Sequence, residues 1–227
     1  MYLDMTYVIF VLPALLLAMW AQMRVTTTFN RYNKITTQQG LTGHDAARKI
    51  LDANGLHSVR IERVAGNLTD HYDPKANVIR LSDSVYNQNS VGAVGVAAHE
   101  AGHAVQHSEG YTPIKIRNSI IPAANIGSYL AFPLALLGII VANDLLINAG
   151  IILFSAVVLF QLVTLPVEFD ASKRAVVVLG GSGMLANQEV RGVKKVLFAA
   201  AMTYVAAAAT AIMNLVRLLV LTNRNRD

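Results

Sequence analysis

Residues 145–172 read LLINAGIILFSAVVLFQLVTLPVEFDAS, and no charge occurs before Glu168. About 20 apolar residues cross about 30 Å of hydrocarbon as a helix, so 145–167 reads as a membrane span and Glu168 as the first residue beyond it. Working outward, residues 5–23, 120–142 and 196–220 are apolar runs of similar length. The chain as a whole is 54% hydrophobic and 15% charged, with a mean hydropathy of +0.43, which is too apolar for an ordinary soluble domain. The first run is longer than the apolar stretch of a signal peptide and no basic residue precedes it, so it reads as a retained anchor. Asn143 and Asp144 are the only polar break between the second and third runs, which makes these a helical hairpin. Arg217, near the end of the fourth, is long enough to reach the headgroups.

Four spans put 24–119 and 168–195 on one side of the bilayer. Eleven Lys and Arg fall in the first segment and five in the second, leaving Arg217, Arg224 and Arg226 as weak counter-evidence. By the positive-inside rule the two segments are cytoplasmic. The net charge of +5 is scattered near apolar runs, so it points to anionic lipid rather than to nucleic acid. The domain plan is therefore an anchor (1–23), a catalytic domain (24–119), a transmembrane hairpin (120–167), a segment completing a site (168–195), a fourth transmembrane helix (196–221) and a tail (222–227).

Within 24–119, residues 43–54 read as a capped amphipathic helix, 59–62 and 78–81 as short strands, and 90–107 as a helix of small apolar residues. The stretch GNLTDHYDPKAN (66–77) between the strands is rich in turn formers. The strand at 78–81 is expected at a sheet edge, where it could align an extended substrate by backbone pairing.

The last helix carries VAAHEAGHAVQH (96–107), which contains HExxH. His99 and His103 lie one turn apart, about 6 Å along the axis, so their rings can converge on one ion. Glu100 projects beside them, where it can take a proton from a water activated by the metal. The chain has no Cys, so any metal must use His, Asp or Glu. The bland alternative, polar positions on an amphipathic helix, fits poorly with the apolar flanks, because buried His and Glu need partners.

A catalytic zinc usually has three protein ligands. His107 lies about 12 Å beyond His99 on a continuous helix, too far for both to reach one ion, and the glycine break that solves this in HExxHxxGxxH is absent. His107 is read as an interfacial or outer residue. The hairpin instead returns Glu168 to the side of the HExxH helix, with Ser172 one turn on, giving a His, His, Glu set. In isolation such a Glu would merely mark the end of a span.

The runs LTDHYDPKANVIRLSDSVY (68–86), VAAHEAGHAVQHSEGYTP (96–113), IPAANIGS (121–128), ILFSAVVLFQLVTLPVEFDAS (152–172) and AMTYVAAAATAI (201–212) resemble the YugP-type neutral zinc metallopeptidases of bacterial membranes. The resemblance covers nearly the whole chain. It implies a membrane-bound zinc endopeptidase, with one zinc on His99 and His103 and with Glu100 as general base. More distantly the layout is similar to HtpX-like and prenyl-protein proteases, whose third ligand is the Glu of an ExxAD-like motif. Glu168 and Ala171 match that motif, but Ser172 stands where those families have Asp. Orientation of a ligand His is thereby open between Asp170 and Ser172. His71 and Tyr72 are candidate transition-state donors, against the plainer reading of surface turn residues.

The expected fold is predominantly α-helical, with about four transmembrane helices and a small α+β zincin-like catalytic domain between the first two. The expected substrate is a membrane-proximal protein or peptide. Three rivals are weaker. An intramembrane protease needs HExxH inside a span-length segment, and none forms there. A zinc transporter needs ligands at the bilayer midplane. A non-catalytic zinc-binding adaptor or scaffold has no use for Glu100.

Overall fold

The structure is a computed structural model and describes residues 5–223. Arg224, Arg226 and most of the expected tail lie outside the described residues. The chain divides into two compact units, one formed by Met1–Gln22, Thr112–Pro166 and Met202–Asp227 and the other by Met23–Tyr111 and Val167–Ala201.

Six α-helices occur among the described residues: α1 (Leu12–Tyr32), α2 (Gly43–Ala53), α3 (Val91–Ser108), α4 (Thr112–Ile140), α5 (Asp144–Gly181) and α6 (Asn187–Asn223). A π-helical turn, Tyr7–Val11, precedes α1. It coincides with Pro13, which has no N–H to offer the carbonyl of Ile9. The π-turn with α1, together with α4, α5 and α6, supplies four helices long and apolar enough to cross a membrane. Their ends differ from the apolar runs. Helix α4 starts at Thr112 rather than 120, α5 continues to Gly181 rather than stopping at 167, and α6 starts at Asn187 rather than 196. Hydropathy marks where the apolar run ends, whereas the helix ends where its backbone bonding ends. Pro166 costs α5 one bond without stopping it, and two of the charges beyond it, Asp170 and Arg174, pair within the helix at i,i+4.

The first unit has a core of Ala131, Ala135, Phe154, Val158, Ala211 and Leu218. Small residues let the hairpin close tightly: a Cβ on Gly150 would lie 2.7 Å from the carbonyl oxygen of Ala131. The side chain of Asn143 accepts from the N–H groups of Leu145 and Leu146 and so starts α5. Arg217 is not simply extended. Its guanidinium lies over the rings of Tyr7 and Phe132, at 5.4 and 5.9 Å.

The second unit holds α2, α3 and a three-stranded sheet of β1 (Arg60–Val64), β2 (His71–Asp73) and β3 (Val78–Ser82), in the order β1-β3-β2. Helix α2 begins with a capping box, Thr42 and Asp45 exchanging side chain and backbone bonds, and it ends at Asn54 followed by Gly55 at φ +70°. Strand β3 pairs parallel to β1 and antiparallel to β2. The expectation that 78–81 is an edge strand is therefore corrected: β3 is the middle strand, and the edge on that side is β2, inside the stretch read as turns. Asp70 extends this edge with its side chain, accepting from the backbone N–H and the hydroxyl of Ser82. Buried Ile50, Leu51, Ile79, Leu81, Val94 and Ala97 pack as one core between α2, the sheet and α3.

Candidate metal centre

Helix α3 is capped at its start by Ser90, whose hydroxyl accepts from the N–H of Ala93, and it runs unbroken through Ser108. His99, His103 and Gln106 share one face. Helix α5 presents Glu168 and Ser172 one turn apart, and the two helices meet at Gly102. A Cβ there would lie 2.9 Å from the carbonyl oxygen of Ala171, so a larger residue would push α5 away from the histidines.

The result is a triangle of donor atoms. Nε2 of His99 lies 3.1 Å from Nε2 of His103 and 3.2 Å from Oε2 of Glu168, and Nε2 of His103 lies 3.6 Å from the same oxygen. A tetrahedral ion with bonds of about 2.0–2.1 Å separates its ligands by roughly 3.3 Å, which these spacings match. Glu168 is only 4% exposed. Two ring nitrogens and a carboxylate facing one another at these distances present lone pairs that one cation could bridge. The surroundings are electronegative: burial alone would lower the His103 pKa, but the carboxylates of Glu168 and Glu100 and the bond to Gln106 outweigh it and hold the imidazole above its ordinary value.

Outer contacts decide which ring nitrogen faces the triangle. Nδ1 of His103 lies 3.0 Å from Oε1 of Gln106. The Gln106 amide nitrogen donates to the carbonyl of Val167 at 2.9 Å and to Oδ2 of Asp170 at 2.8 Å, so its oxygen is the end turned to the ring. Nδ1 therefore carries the proton, and Nε2 offers its lone pair to the cluster. Asp170 is held by Nε of Arg174 at 2.6 Å, and Arg174 also donates to Glu109 at 2.7 Å. His99 has a simpler partner, Oγ of Ser172 at 3.2 Å from its Nδ1. The two open candidates thus sit differently: Ser172 touches one histidine directly, and Asp170 reaches the other through Gln106.

Sequence reasoning missed Gln106. The signal was present, as a polar residue at i+3 from His103 and i+7 from His99 in an otherwise apolar run; it is 0% exposed. Gln106→Leu keeps the volume but removes the oxygen that fixes the tautomer, and is expected to weaken zinc binding about 10 to 100-fold. Competition with a chelator of known affinity measures this. Unchanged affinity in a folded Gln106→Leu protein would contradict the role.

Glu100 is 8% exposed, and among the described residues its carboxylate has no hydrogen-bond partner. A buried carboxylate left free beside a cation site suits a proton acceptor. Asp70, another residue the sequence did not single out, lies close enough for its pKa to be raised, first by burial and additionally by the charge of Glu100.

The remaining sites lie apart from the triangle. His107 is not among the clustered donors; it is exposed, with its ring edge-on to Tyr72 at 6.0 Å. His71 is exposed and bonded to the carbonyl of Thr69 and to Arg80. The Tyr72 hydroxyl points to Asn77, 3.5 Å away.

Comparisons with known proteins give the arrangement a context. The profile of a family described as "Putative neutral zinc metallopeptidase" matches residues 7–223. A relative named "Putative membrane protease YugP", from Bacillus subtilis (strain 168), is 47% identical over 223 residues, 98% of this chain and 99% of that protein. No solved structure gives a significant match.

Proposed function

Because the chain belongs to the neutral zinc metallopeptidase family, we propose that it is a membrane-bound, zinc-dependent endopeptidase. The observation that carries this reading is the convergence of His99, His103 and Glu168 on one point, with the free carboxylate of Glu100 on the same helix. His99 and His103 would hold the metal by Nε2 and Glu168 by a carboxylate oxygen, one zinc per chain. Zinc, when bound, supplies a Lewis acid that polarises the scissile carbonyl and acidifies water. Glu100 takes the proton of the attacking water and returns it to the leaving amine. Ser172 and Gln106 keep both imidazoles in the tautomer the metal needs. Asp170 and Arg174 hold Gln106 in place.

The second unit, with its edge strand β2 beside α3, is read as a zincin-like catalytic domain. An extended substrate would pair with the outer edge of β2, replacing the role first expected of β3. Tyr72 and His71 on that strand remain the nearest candidates for contacting a bound chain. The four apolar helices and the name of the Bacillus relative support a multi-pass membrane location, and the Lys and Arg distribution supports a cytoplasmic catalytic side. The substrate would be a membrane-proximal protein or peptide.

One experiment tests activity and orientation together. An unfolded soluble protein is added to inverted or right-side-out membrane vesicles containing the chain, with zinc or with a chelator. Chelator-sensitive cleavage is expected in inverted vesicles alone. Cleavage confined to right-side-out vesicles would reverse the orientation, and no cleavage in either, or after detergent, would remove the function.

A further inference from the structure

Helices α5 and α6 border a groove of about 590 Å³ in the second unit, within the size range of small-molecule sites. Its walls are apolar, with exposed Phe169 and Val177 from α5 and exposed Phe198 from α6. Its polar rim is cationic: Lys173, Lys194 and Lys195 line it, and no acidic side chain does. Among the described residues none of these lysines has an ion pair. A second cavity of about 530 Å³ shares Lys195 and adds Arg31 and Arg191. Its one acid, Glu189, accepts from the backbone N–H groups of Gln38 and Ala186 and is outnumbered by Arg31, Arg191 and Lys195, so the cavity stays net positive.

An apolar trough that ends in a basic pocket matches an anionic amphiphile. The helical rise places these cations at a particular level. Lys173 is six residues, about 9 Å, past the apolar run 145–167, and Lys194 and Lys195 immediately precede the run 196–220. On helices that enter a bilayer, this is where lipid headgroups lie. Scattered apolar side chains there would meet lipid in any case. The unpaired lysines and the adjoining basic cavity are what distinguish a site from a lipid-facing surface.

We propose that the α5–α6 groove binds one anionic phospholipid, an acyl chain against Phe169 and Phe198 on the bilayer side and the headgroup phosphate at the Lys195 junction, beside Val177. The groove also borders the metal centre from behind, because Ser172 lines it while bonding to Nδ1 of His99. Binding itself does not depend on the chain being a peptidase, so it is measured without proteolysis.

The test is native mass spectrometry of the full chain in detergent, titrated with phosphatidylglycerol or with phosphatidylcholine of the same acyl chains. Retention of one phosphatidylglycerol in preference to phosphatidylcholine is expected. Each basic residue near an anionic lipid surface contributes roughly fivefold to affinity, so Lys173→Gln, Lys194→Gln and Lys195→Gln together should weaken binding about 100-fold. Val177→Trp should fill the groove and weaken binding with no change of charge. Arg60→Gln with Arg63→Gln, at the sheet, should leave it intact. A melting transition and zinc content check that each variant is folded.

Equal retention of both lipids, or a folded triple variant or Val177→Trp protein that retains phosphatidylglycerol as well as wild type, would overturn the proposal. Equal affinity for glycerophosphoglycerol, which lacks the chains, would do the same by reducing the site to an anion pocket. An acidic peptide that displaces the lipid stoichiometrically would assign the groove to polypeptide instead.

Discussion

Substituting Gln for Glu100 is expected to leave about one zinc per chain and to lower peptide hydrolysis by at least about 100-fold, the lower end of what a positioned general base contributes. The two side chains have nearly the same shape, so α3 should pack as before. An amide cannot accept the proton of the attacking water. No hydrogen bond is lost, because among the described residues the Glu100 carboxylate has none, and removing its charge relieves Asp70. Metal content by mass spectrometry and hydrolysis of an unfolded protein are measured on the same preparation. Turnover within about twofold of wild type would rule out Glu100 as the base.

A second large effect separates the two candidates for the third ligand, the carboxylate of Glu168 and the imidazole of His107. Glu168→Ala is expected to weaken zinc binding by more than about 100-fold, beyond the loss typical of outer partners, whereas His107→Ala should change it less than about tenfold. The contrast follows from position. Oε2 of Glu168 lies 3.2 and 3.6 Å from the two Nε2 atoms, while His107 is exposed and turned to Tyr72. Removing Glu168 also leaves two half-buried imidazoles facing each other at 3.1 Å, so Glu168→Gln, which keeps the volume and one oxygen, should retain more metal than Glu168→Ala. Gel filtration of each variant in detergent checks that the chain remains folded.

Much of this arrangement could be read from the residues because it depends on local rules. Span-length apolar runs, the capped helix after Thr42 and the i,i+4 spacing of His99 and His103 each follow from neighbours in the chain. Even Glu168 was reachable, since a hairpin of two spans must bring the chain back to the same side. What the residues concealed depends on distant partners. Strand β2 is three residues long in a stretch dominated by Asp, Asn, Pro and Gly, and it exists through pairing with β3. The middle position of β3 depends on a parallel pairing with β1, to which no local pattern corresponds. Gln106 was visible only as a polar interruption near a more conspicuous histidine. Its role required Val167 and Asp170 from a helix more than 60 positions away. A helix carrying Glu168 and Ser172 on one face was readable from their spacing, but its continuity with the third span through Pro166 was not, since the polar residues that seemed to end the span are the ones that bond to α3.

The central claim is that one zinc is held by two imidazoles of α3 and a carboxylate of α5. Zinc K-edge X-ray absorption on the purified, zinc-loaded chain tests it most directly, with Glu168→Ala and His107→Ala measured alongside. Two imidazole nitrogens with oxygen donors, at about 2.0–2.1 Å, are expected for wild type and unchanged in His107→Ala, with the shell altered or the metal lost in Glu168→Ala. Three imidazoles in wild type, or a shell that changes in His107→Ala and persists in Glu168→Ala, would contradict the account.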